Sequence, residues 1–312
     1  MSLEDEVNFS LKLLSLLDAA NSSTIFSPAS ILNSLAMIHS GAKGKTAEEI
    51  ASIIDESPVK NENRKRPHST ETRNVNVANG FFVSDNIKLV QSYEKLVKDK
   101  FNGKIRSLDF KKPVQAVKEI NTFVSDSTNK AIKKIINSED ISLQTSLVLI
   151  NAIHFIGFWE EPFGNRKKLT FNSNPSREIP MMTKELKGGK EEWNFQRGEG
   201  WKCLGIPYKN RKAWLYIVLP EAIDGLSALI KKLDYLLIEK CTERRKTFKM
   251  EIIIPIIQNS SSINLETKLK ELGITEIFSD KANLSGMLGR PNKIEKAIHK
   301  AVIKVIKKSF KM

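Results

Sequence analysis

Cysteine is nearly absent: among 312 residues only Cys203 and Cys241 occur, far apart and outside any CxxC pattern. This excludes a disulfide framework and a zinc site of the usual spacing, and it suits a reducing compartment. Histidine is scarce as well, at His39, His68, His154 and His299, with no acid or nucleophile patterned around any of them. GxSxG, HExxH and a true phosphate loop are also missing, so no enzyme, cofactor or metal is expected. The nearest thing to a phosphate loop is GAKGKT, but His39 stands where its first glycine should be, and a helix precedes it instead of a strand. No apolar run approaches the ~18 residues of a membrane span. MSLEDEVNFSLKLLSLL has neither a basic start nor a small-residue cleavage site, which predicts a cytoplasmic protein. No Gly/Ser/Pro-rich linker divides the chain, and one domain over residues 1–312 is expected.

What the chain has in excess is positive charge: 50 Lys and Arg against 36 Asp and Glu, a formal net +14. Such a surplus favours polyanionic partners. The basic runs lack interleaved aromatics, so sequence-specific nucleic-acid binding is not expected.

One apolar stretch stands out, LVLINAIHFIGFW, Leu147 to Trp159. Its β-branched and aromatic residues predict a central strand buried on both faces, ending or bending at Gly157. Asn151 and His154 interrupt it and fall on opposite faces. A buried Asn needs hydrogen-bond partners, so Asn151 is either a satisfied core amide or part of a polar latch. The adjacent pair Glu160 and Glu161 reads as a strand-end turn, not as paired carboxylate chemistry.

Before this strand, Val7, Leu11 and Leu14 mark an amphipathic helix; Ser27 and Pro28 cap and start a second helix that stops at Gly41; and Thr46 to Ile54 forms a third. Ser57 to Asn74 carries no apolar period and reads as a loop. Val75–Val83 and Ser107–Phe110 read as strands, Tyr93–Phe101 as a helix, and Val117–Ile136 as one long helix. Beyond it, a loop and strand run through KLTFNSN and REIPMM. Two strands then meet at a turn on Asn210 and Arg211, followed by a helix over Leu226–Ile238 and the strand FKMEIIIPII. A helix over Leu265–Leu272 leads to a last strand in which Ala297, His299, Ala301, Ile303 and Val305 share a face. Helices dominate the first half and strands the second, an α+β arrangement.

FSPASILNSLAMIHSGAKGKTAEEI, LVLINAIHFIGFWEEPF, LGIPYK with IVLP, LKELGI with FSDKANLSG, and AIHKAVIKV, in that order, resemble the successive signatures of the serpin family. The resemblance implies about nine helices packed on a large central sheet A, with smaller sheets B and C. It also implies suicide inhibition of serine or cysteine endopeptidases: a cleaved reactive-centre loop inserts into sheet A as a new strand. Ser27, Ser30, Asn151 and His299 match the polar shutter, Trp159 matches the breach where insertion begins, and the helix from Val117 lies across the sheet. After the last strand the family continues through a Glu-rich hinge into the loop and the last strands of sheet B. Here Lys307 and Lys308 stand at the hinge and the sequence reads VIKKSFKM, so the expectation is a truncated, non-inhibitory form with an incomplete sheet B. A target protease is expected as partner only for a longer form carrying the loop. The alternative is a serpin-derived protein that binds heparin-like polyanions or a protein partner through Lys43, Lys45, Arg64, Lys65, Arg66, Lys130, Lys133 and Lys134. The resemblance also makes an extracellular location the alternative to the cytoplasm.

Overall fold

The structure is a computed structural model that describes residues 2–54, 75–101, 103–164, 166–173, 175–188, 193–243 and 248–306. Its contacts divide the chain into two compact units, one of residues 1–17, 24–155 and 260–302, the other of residues 18–23, 156–259 and 303–312.

In the first unit, Ser2 and Asp5 close a capping box on α1 (Leu3–Ser15). Ser27 caps α2 (Pro28–His39), whose first residue is proline, where a missing N–H costs nothing. There follow α3 (Gly44–Ile54), β1 (Val75–Ser84), α4 (Gln91–Phe101), β2 (Lys104–Leu108), α5 (Pro113–Ser127) and β3 (Leu147–Phe158). The second unit is built from β4 (Arg166–Phe171), β5 (Arg177–Leu186), β6 (Asn194–Gly198), β7 (Trp201–Pro207), β8 (Trp214–Pro220), α6 (Leu226–Lys232), α7 (Tyr235–Thr242) and β9 (Met250–Pro255). The chain then returns through β10 (Gln258–Asn264), α8 (Leu265–Glu271), α9 (Ser285–Leu288) and β11 (Lys296–Ile306).

A five-stranded sheet in the order β10-β11-β3-β1-β2 dominates the first unit, with β1 antiparallel to β3 and parallel to β2. Alternation along the strands serves two cores. Phe81, Val83, Leu147, Leu149 and Ala297 pack with α2 and α3 on one face. Phe82, Val148, Ile150, Ala152 and Ile298 pack with α5 on the other. Leu147 to Ala152 are therefore buried without exception, as the run of apolar residues predicts. The second unit holds two three-stranded sheets, β4-β5-β9 and β6-β7-β8.

Several expectations change. The helix expected over Val117–Ile136 ends at Ser127: Asn129 and Lys130 take φ of 51° and 62°, the amide of Lys130 reaches back to the Ser125 carbonyl, and the chain leaves the helix axis. Ile132, Ile135 and Ile136 nevertheless bury in the core of that face, because the segment folds back beside α5. The Asn121 side chain holds it there, its Oδ1 accepting from the amide of Ile135 at 2.7 Å and its Nδ2 donating to the Ile136 carbonyl at 2.9 Å. The helix expected over Leu226–Ile238 is two helices, because Asp234 caps α7 through the Leu237 amide. KLTF belongs to β4, not to a loop, and β6 and β10 were not foreseen. The expected loop over Ser57–Asn74 lies outside the described residues.

Asn121 offers a direct check on this folded-back segment. Asn121→Ala leaves the amide of Ile135 and the carbonyl of Ile136 without partners and is expected to destabilise the protein by about 1–3 kcal/mol. Hydrogen exchange should speed up selectively at Ile135 and Ile136 while the middle of α5 stays protected.

Candidate functional site

Beneath the seam between β3 and β11 lies a cluster of polar side chains enclosed by apolar ones. Its centre is Asn151, in the middle of β3 and fully buried. Its Oδ1 accepts hydrogen bonds from Ser30 Oγ at 2.8 Å and from Nδ1 of His299, which β11 brings alongside. Its Nδ2 faces the Ser30 carbonyl at 2.9 Å, Ser34 Oγ at 3.0 Å and Oδ1 of Asn79, the residue opposite it on β1. Both donors and both lone pairs of the amide are thus engaged.

The histidine has one possible state in this arrangement. The amide of Ser27 points at His299 Nε2 from 3.1 Å, and a backbone N–H can only donate, so Nε2 must be the bare nitrogen. Nδ1 therefore carries the proton and donates to Asn151: the ring is neutral and its tautomer fixed. Burial lowers its pKa from 6.5 to about 4. His154, on the other face of β3, makes a separate contact from Nδ1 to the Thr128 carbonyl at 3.2 Å.

In the second unit, Trp159 follows the end of β3 and pairs with Tyr208 in an isolated bridge. The two rings stack at 5.1 Å between centroids and 9° between planes, with Phe163 and Trp193 continuing the aromatic group. Gly157 is required here, because a Cβ would collide with the Tyr208 ring. The indole N–H of Trp159 has no acceptor among the described residues. Glu160 accepts from the amide of Asn210 and Glu161 pairs with Lys184 at 2.6 Å, so neighbouring carboxylates serve two different partners.

The serpin (serine protease inhibitor) family pattern matches residues 4–311. The chain belongs to the serpin family. Serpins are inhibitors rather than catalysts. Human neuroserpin is 30% identical over 300 residues, covering 90% of this chain and 73% of its own length. Antichymotrypsin-2 of Bombyx mori is 28% identical over 295 residues, covering 91% of this chain and 78% of its own length. Among solved structures, uncleaved ovalbumin matches with a TM-score of 0.88 at 23% identity, covering 100% of this chain and 91% of that one. Native protease nexin-1 with heparin matches at 0.89 and 24%, covering 99% and 88%. The serpin fold of a large sheet with two smaller sheets and nine α-helices is thus present among the described residues.

Of the residues expected at the serpin shutter, Ser27, Ser30, Asn151 and His299 do meet in one hydrogen-bonded cluster. Ser34 and Asn79 belong to it and were not foreseen. Ser34 carried a signal, because it lies one turn after Ser30 on a helix face that is otherwise apolar. The expected polyanion contacts do not converge. Lys43 and Lys45 stand exposed at the start of α3, on one side of the sheet, whereas Lys130, Lys133 and Lys134 are exposed in the segment after α5, on the other. Lys45 lies 3.7 Å from Glu49 and 3.8 Å from Glu276. Arg64, Lys65 and Arg66, with the hinge residues Lys307 and Lys308, fall outside the described residues.

The state of His299 sets a pH dependence. The folded protein holds the ring neutral down to about pH 4, whereas the unfolded chain protonates near 6.5. The stabilisation is therefore complete above about pH 6.5 and is lost as pH falls toward 4, a change of about 3 kcal/mol. Urea titrations across this range should show that slope in the wild type and a flatter one in His299→Gln.

Proposed function

We propose that this chain is the body of an inhibitor of serine or cysteine endopeptidases, built to admit the reactive-centre loop of a longer form as a new strand between β3 and β11. The observation that carries the reading is the polar cluster beneath that seam. Apolar side chains interlocked across two strands resist separation, whereas a hydrogen bond exchanged for another changes the free energy by only about 1 kcal/mol. Asn151 and His299 put such an exchangeable link on the two strands that must part. The segment after α5 lies on the same route: Lys300 Nζ of β11 donates to the Lys134 carbonyl at 2.7 Å, and Ile132, Ile135 and Ile136 cover the far face. Relatives named antichymotrypsin-2 and antitrypsin support protease inhibition as the outcome.

The test is strand acceptance. An extended Ala/Thr-rich peptide as long as β3, incubated with the protein, should raise Tm by roughly 10 °C, as several kcal/mol of new pairing requires in a chain of this size. Isotope-edited spectra should report added strand. A peptide that binds without stabilising, or none that binds, sinks the insertion reading.

A second reading rests on Lys130, Lys133 and Lys134, exposed together on one short segment. We infer heparin-like polyanion binding there, and the heparin-bound protease nexin-1 structure shares this fold. Retention on a heparin column should fall steeply with salt and drop in Lys133→Ala/Lys134→Ala. Salt-insensitive retention, or equal retention by the variant, contradicts it.

A further inference from the structure

Cys203 and Cys241, 38 positions apart in sequence, come together in the second unit. Each is about 1% exposed, and both belong to a small core with Trp201 and Leu229. The strand register fixes which way Cys203 points. It lies opposite Gln196 of β6, so the two side chains share a face, and Asn194, two residues earlier, shares it too. That face meets the end of α7: Asn194 Nδ2 donates to the Cys241 carbonyl at 2.9 Å and Gln196 Nε2 to the Glu243 carbonyl at 3.0 Å. Cys203 is thereby aimed at the last turn of α7, where Cys241 sits in the same small core. Neither is in a disulfide.

We propose that Cys203 and Cys241 form a dithiol modification site that a peroxide converts to a disulfide, stapling β7 to α7. The thiols are not equivalent. The neighbouring Cys203 thiol lowers the pKa of Cys241 against the opposing effect of burial, and the nearby ammonium of Lys240, which also sits 5.8 Å from the Trp201 ring centroid, adds to the lowering. The proximity of Cys241, together with burial, raises the pKa of Cys203. Cys241, next to the Lys240 ammonium that lies over the Trp201 ring, is therefore the nucleophile. Its thiolate attacks one oxygen of hydrogen peroxide, forming the S–O bond of a sulfenic acid and breaking O–O to release hydroxide. Cys203 then attacks the Cys241 sulfur, and the departing hydroxide takes up the Cys203 proton as water. Two thiols are oxidised, one peroxide is reduced, and two waters form in all. Opening of the last turn of α7, a helix of only eight residues, admits the oxidant.

The experiment uses the full chain, reduced, freed of reductant and kept dilute, then exposed to hydrogen peroxide and quenched with N-ethylmaleimide. The expected product is lighter by two hydrogens and takes up no maleimide. Its tryptic map contains one peptide pair joined through residues 203 and 241, its Tm rises by roughly 5 °C, and dithiothreitol reverses every change. Cys203→Ser should stop at the sulfenic acid, trapped at Cys241 by dimedone. The proposal is overturned if both thiols still alkylate after peroxide, if either climbs to the sulfinic acid without a cross-link, or if the bond forms only in denaturant or between chains. The wild-type map decides the question even if the variant fails to fold.

Discussion

A buried carboxamide cannot be left half satisfied, and the amide of Asn151 is buried completely. Everything around it follows from supplying four partners in a dry place. One strand alone cannot do so, because its backbone is committed to its neighbours. The partners must come from elsewhere, and they come from α2 below, from β1 on one side and from β11 on the other. The pairing of three strands and the seating of one helix are thus tied to a single side chain. The tie is directional: an apolar side chain in its place would pack in several registers, whereas the amide fits one.

The histidine makes the arrangement conditional. Ser27 and Asn151 together allow His299 only one tautomer and no added proton, so the side-chain link across the seam between β3 and β11 has one acceptable state. On the opposite face, closure relies on different physics. Ile132, Ile135 and Ile136 cover the strands by burial alone, and Asn121 keeps their backbone in line. The first face thus combines apolar packing with one hydrogen-bonded cluster, whereas the second is held by apolar contact.

How far the sequence foretold this depends on what each signal measures. The cap at Ser27 and Pro28, the two-face burial of β3 and the inward face of β11 were legible, because each combines a local rule with strong burial. The end of α5 was not. Apolar spacing through Ile132, Ile135 and Ile136 reports which residues are buried, and here that is true, but it does not report the path of the backbone that buries them. The break came instead from Asn129 and Lys130, whose left-handed conformations carry no strong sequence mark for lysine. The strands β6 and β10 escaped notice because β10 is mostly polar and partly exposed, and β6 is short. Of the cluster, Ser27, Ser30, Asn151 and His299 were found by resemblance, whereas Asn79 entered through strand register, which no single segment encodes. Clusters of lysines in sequence likewise gave no sign that a sheet would separate them.

The order in which this chain leaves a ribosome adds one more consequence. Asn151 and His299 are 148 positions apart, so a chain elongating at about 5–20 residues per second waits roughly 7 to 30 seconds between making the amide and making its last partner. During that interval α2 and β1 can already hold Asn151, but the β11 side of β3 has no neighbour, and its backbone is an open template for any extended segment nearby. The strand edge that β11 pairs in the finished protein is thus the part of the sheet that stays open longest as the chain is made.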